Sequence, residues 1–69
     1  MTVTLAERLK IFREARGVTL RELEKRSGIS NAYLSQLETG KIKEPSLTKM
    51  KALAKAYGIS VSALVGETL

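Results

Sequence analysis

The sequence predicts an all-α fold, five short helices closed around one small core. Three features carry that expectation. Hydroxyl-led helix starts recur along the chain, and each of the 5 glycines follows a segment of helical periodicity. No segment sustains the period-two alternation of a half-buried strand.

The first helix is expected over 5–16. Thr4-Leu5-Ala6-Glu7 opens it as a capping box, a hydroxyl at the N-cap and a carboxylate three residues on. Its apolar positions are Leu5, Leu9, Ile11, Phe12 and Ala15. Thr19-Leu20-Arg21-Glu22 repeats the box and opens a second helix over 20–27. Val18 before this cap has the spacing to staple onto Leu23. The same spacing recurs as Ile29 with Leu34 about Ser30, which starts a helix over 31–39. Ser46, after the single proline Pro45, starts a helix over 47–57 with Leu47, Met50, Leu53, Ala54 and Tyr57 on its apolar side. Ile59 and Leu64 flank Ser60 at the start of the last helix, 61–65, where Val61, Leu64 and Val65 fall at i, i+3 and i+4. Connections are short except from Gly40 to Pro45, so residues 1–69 are expected to form a single domain.

Composition removes most chemistry. A chain of 69 residues buries only about three-fifths of its surface on folding, too little to enclose a substrate cavity. Without Cys or His, neither disulfides, zinc fingers nor Ser-His and Cys-His catalysis are available. No enzyme, metal or cofactor is therefore expected. No apolar run approaches about 18 residues, and the N-terminus has no basic and apolar leader pattern, so neither membrane nor secretion is expected. Absence of cysteine suits a reducing compartment and a cytoplasmic location. Twelve Lys and Arg against 7 Asp and Glu leave +5, a balance that favours a polyanionic partner.

Function concentrates around residues 19–40. The helices at 20–27 and 31–39 are joined only by Gly28-Ile29-Ser30, short enough to set them at the steep angle of a helix-turn-helix. Leu23, Ile29, Leu34 and Leu37 then seal the pair against the core. Asn31, Ala32, Ser35 and Gln36 are left on the outer side, small, uncharged and rich in amides. Asn and Gln can pair with adenine through two hydrogen bonds in the major groove. Between Thr39 and Tyr57 stand five lysines and one glutamate. Lys41 and Lys43 are placed beside the proposed recognition helix, whereas Lys49, Lys51 and Lys55 are expected on the wet face of the helix at 47–57.

From Leu9 to Val65 the sequence resembles the lambda-repressor/Cro-type (XRE-type) helix-turn-helix family. The resemblance rests on Gly17-Val18-Thr19-Leu20-Arg21-Glu22-Leu23, Ser27-Gly28-Ile29-Ser30, Tyr33-Leu34-Ser35-Gln36-Leu37-Glu38-Thr39-Gly40-Lys41, Pro45-Ser46-Leu47, Ala56-Tyr57-Gly58-Ile59-Ser60 and Leu64. It implies a compact five-helix lambda-repressor-like domain that binds double-stranded DNA, a palindromic operator, as a homodimer. It places Asn31, Ala32, Gln36, Tyr33 and Ser35 at base edges. Thr19, Arg21, Ser30, Thr39, Lys41 and Lys43 come to the phosphate backbone, and Arg13 and Glu38 match a structural ion pair between the first and third helices. Two positions depart from the pattern. Glu24 stands where the family usually has Ala and must reach solvent or a donor. Leu20 replaces a polar residue that many relatives use on DNA.

The function expected is a sequence-specific DNA-binding transcriptional regulator, a repressor, with the helix at 31–39 in the major groove. A protein-interaction module on the same scaffold, such as an antitoxin that binds a toxin partner, is the second reading. Single-stranded nucleic acid fits poorly, because Phe12, Tyr33 and Tyr57 are the only aromatics and two of them belong to core stripes. The chain ends soon after the last helix, so regulation is expected through concentration or a partner protein.

Overall fold

The computed structural model describes residues 4–66. Five helices follow in chain order: α1 (Leu5–Ala15), α2 (Leu20–Ser27), α3 (Asn31–Glu38), α4 (Leu47–Tyr57) and α5 (Val61–Val65). All-α architecture is what the sequence predicted. Two ends move by one residue, since Arg16 and Thr39 are the C-caps of α1 and α3 rather than their last helical residues.

Local chemistry explains the starts. In both capping boxes the threonine hydroxyl accepts the N3 amide at 3.1 Å, Glu7 onto Thr4 and Glu22 onto Thr19. Each glutamate in turn accepts the N–H of its capping threonine. Ser30, Ser46 and Ser60 accept the N3 amides of α3, α4 and α5. Such caps contribute about 1 kcal/mol each and, more usefully here, they set where each helix begins. Gly28 ends α2 at φ 76°, a left-handed conformation that lets the chain enter α3 within two further residues.

Packing follows from these directions. α1 lies against α3 and α5, α2 against α3 and α4, and α4 against α5. The core is Leu9, Val18, Leu23, Ile29, Leu34, Leu37, Met50, Leu53, Ala54 and Leu64. Both members of the first two staples, Val18 with Leu23 and Ile29 with Leu34, are buried in it, while of the third Leu64 is buried and Ile59 packs partly buried against the core. Three expected core positions are corrected. Ile11 is 57% exposed because it lies two residues, about 200° of helix rotation, from Leu9. Ala15 is exposed at the end of α1. Leu47 is 61% exposed in the first turn of α4, ahead of the buried part of its stripe, which begins at Met50.

Long side chains complete the frame. Arg8 donates from Nε to the Leu64 carbonyl and from Nη2 to the Ala63 carbonyl, both at 2.9 Å, and so ties α1 to the end of the short α5. The Phe12 and Tyr57 rings meet edge to face, centroids 5.0 Å apart, and the Arg16 guanidinium covers Phe12. The phenol of Tyr57 is buried without a hydrogen-bond partner among the described residues.

Candidate nucleic-acid interface

α3 has one sealed side and one open side. Leu34 and Leu37, three residues apart, are each only 2% exposed. Asn31, Ala32 and Gln36 are exposed, and Tyr33 and Ser35 are half-buried at the margins of that open side. Ala32 and Gln36 stand one turn apart, and the Gln36 amide has no hydrogen-bond partner among the described residues. An unoccupied amide on a small-residue face can enter a groove and both donate and accept there.

The surrounding polar groups fall into two sets. Arg21, Lys41 and Lys43 are exposed and have no ion-pair partner among the described residues. Lys41 lies within a loop folded back on α3, between Gly40, whose amide bonds the Leu37 carbonyl, and Ile42, whose amide bonds the Gln36 carbonyl at 3.2 Å. Thr19, Ser30 and Thr39 are also exposed, but their hydroxyls are already engaged. Thr19 bonds Glu22, Ser30 accepts the Tyr33 amide, and Thr39 donates to the Gln36 carbonyl. Leu20 is half-buried against the core and offers nothing polar outward.

Arg13 and Glu38 hold α3 from behind. The guanidinium meets the carboxylate through two bonds and has a third to the Val18 carbonyl. Hydrogen bonding to Glu38 raises the Arg13 pKa above its ordinary value, so the charge is permanent.

Two relationships were not anticipated. Glu24 finds its donor in Asn31, whose backbone N–H and side-chain Nδ2 bond the two carboxylate oxygens at 3.0 and 3.1 Å. Lys49 is half-buried rather than on the wet face of α4, with its ammonium 5.3 Å from the centre of the Tyr33 ring. Both bridge elements separated in sequence, so helical periodicity could not show them. Among the described residues no group of His, Cys, Asp and Glu is placed to hold a metal ion, and no helix is long and apolar enough to cross a membrane.

Two helices at a glycine turn, the second sealed within and polar without, define a helix-turn-helix domain. A family model described as "Helix-turn-helix" matches residues 9–64. The chain belongs to this family, in the lambda-repressor/Cro (XRE) type that its motifs resemble. It is 38% identical over 65 residues to the immunity repressor protein of Bacillus phage phi105, covering 94% of this chain and 44% of that protein. To the HTH-type transcriptional regulator DdrOP3 of Deinococcus deserti it is 43% identical over 61 residues, 88% of this chain and 46% of the relative. The uncharacterized HTH-type transcriptional regulator y4dJ of Sinorhizobium fredii is 43% identical over 57 residues, 83% of this chain and 73% of its own length. The chain thus spans somewhat less than half of the first two relatives.

Proposed function

We propose that this protein is a sequence-specific double-stranded DNA-binding transcriptional regulator acting as a repressor. The observation that carries the proposal is the two-sidedness of α3: Leu34 and Leu37 are locked in the core while Asn31, Ala32 and Gln36 remain open. α3 enters the major groove, where Asn31, Ala32 and Gln36 meet base edges and Tyr33 and Ser35 border them. Arg21, Lys41 and Lys43 grip phosphate with their charge. Thr19 and Ser30, whose hydroxyls are engaged as N-caps, stand at helix N-termini where phosphate is favoured, and Thr39, the C-cap of α3, meets the backbone beside Lys41 and Lys43. Relatives named as an immunity repressor and as transcriptional regulators support this reading. The output is occupancy of DNA, not chemistry, and the place of action is the DNA-containing compartment.

One α3 in one groove buries only about 600–1,000 Å², the size of a single module. Two chains on one duplex double that area, so the protein binds a palindromic operator as a homodimer, with half-sites about 34 Å apart. Selection of bound duplexes from random DNA tests both points. The expected product is a two-fold symmetric site holding two chains. Enrichment of single strands, or of no sequence at all, contradicts the proposal.

A further inference from the structure

Glu24 is a half-buried carboxylate of α2, and it is engaged by one residue. Both its oxygens go to Asn31, one to the main-chain N–H and one to Nδ2. The first bond caps a free amide at the positive end of α3. The second has a chemical consequence for the side chain. An ionised carboxylate can only accept hydrogen bonds, so the nitrogen of the Asn31 amide must face Glu24 and the oxygen Oδ1 must face away. With the reverse orientation, two acceptor oxygens would be brought together.

We infer that Glu24 is a specificity-determining residue that acts through Asn31, holding the amide so that Oδ1 is the atom offered to the base pair. The inference rests on the proposal that α3 reads the major groove. An oxygen there is satisfied by a base that donates, which means the exocyclic amine of adenine or cytosine. Guanine and thymine present acceptors at the same edge and are disfavoured by the fixed oxygen. Glu24 touches no base. It is a positioning residue, and its carboxylate is tolerated next to DNA because Asn31 uses both oxygens.

Duplex selection followed by binding titration on single-base variants tests the inference, with wild type, Asn31→Ala, Gln36→Ala, Glu24→Gln and Glu24→Ala. In the wild type, one symmetric pair of positions favours adenine or cytosine, and Asn31→Ala erases that preference. Glutamine at 24 can donate as well as accept, so it permits either orientation of the Asn31 amide, while alanine imposes none. Both Glu24 variants reduce the preference over guanine and thymine at that position by at least about fivefold. Neither alters the preference at other positions, and neither has a further effect when combined with Asn31→Ala. A purely structural role would instead lower the melting temperature and weaken all duplexes equally.

The outcomes separate cleanly. If Asn31→Ala changes no position while Gln36→Ala relaxes one, α3 reads DNA and this inference alone is overturned; if neither variant changes a position, the reading of α3 fails and this inference falls with it. If Asn31→Ala erases a position that both Glu24 variants preserve, the positioning role alone is overturned. A wild-type preference for guanine or thymine at the Asn31 position overturns it equally.

Discussion

Arg13 and Glu38 form a two-bond ion pair, Nε to Oε2 at 2.7 Å and Nη2 to Oε1 at 2.9 Å, that fastens α1 to the last residue of α3. Nη1 of the same arginine donates at 2.7 Å to the carbonyl of Val18, the core residue just ahead of α2. One guanidinium thus spans three elements. α3 is held at its C-terminal end by charge and along its inner side by leucine.

Glu38→Ala leaves that guanidinium without its carboxylate. The two side chains are only 13% and 8% exposed, so the loss belongs with buried rather than surface pairs. Stability should fall by about 3 kcal/mol, the low end of the range for breaking a buried pair, because Arg13 keeps its bond to Val18. Urea denaturation measures this directly. An unchanged midpoint removes the structural role of the pair.

Reading and gripping are separable by mutation. Gln36→Ala removes an amide on the open side of α3 and should cost about 1–3 kcal/mol on the operator, relaxing one base pair per half-site. Non-specific duplex should bind as before. Lys41→Ala should weaken operator and scrambled duplex by the same factor and lower the salt slope by about one unit per site. Titrations on both duplexes at two salt concentrations distinguish the two effects. Equal weakening of both duplexes by Gln36→Ala means that α3 does not read sequence.

Tyr57 buries a hydroxyl that has no hydrogen-bond partner among the described residues. Its ring packs against Phe12 and the core, contacts that phenylalanine retains. Tyr57→Phe should therefore stabilise the domain by about 1 kcal/mol, the cost of an unmet buried polar group removed. Thermal unfolding gives the sign. A loss of stability would place a hydrogen-bonded water on the phenol.

Two groups make stability depend on pH at opposite ends of the scale. Hydrogen bonds from the Thr4 backbone and hydroxyl hold the Glu7 carboxyl below its ordinary value of 4.5. A lowered pKa contributes stability above the ordinary value and loses it as pH falls through the lowered one. Burial, reinforced by Glu38, raises the Tyr57 phenol above its ordinary value of 10.0. That contribution is present below the ordinary value and lost as pH rises through the raised one. With no His or Cys between these limits, melting temperature and operator affinity should both be flat from about pH 6 to 8 at constant ionic strength. A tenfold change in affinity within that window would contradict this.

What the sequence determined by itself was whatever depends on near neighbours. Thr4 with Glu7 and Thr19 with Glu22 are three residues apart, so the caps and helix starts are written locally. Leu34 and Leu37 share a face through helix geometry alone, and that sufficed to leave Asn31, Ala32 and Gln36 outside. The Arg13–Glu38 pairing crosses 25 residues and entered only through the family resemblance. Ile11 stays wet through helix geometry, about 200° of rotation from Leu9, which the spacing already contained, whereas the tertiary structure decided that Leu47 stays wet, because nothing among the described residues packs over the first turn of α4. It also decided the destination of Glu24. The carboxylate lies seven residues from Asn31, across the Gly28 turn, and only the approach of α2 to α3 brings them within hydrogen-bond distance. Periodicity reports which side of a helix a residue occupies, whereas a hydrogen bond between helices depends on their angle and separation, which the packed core sets.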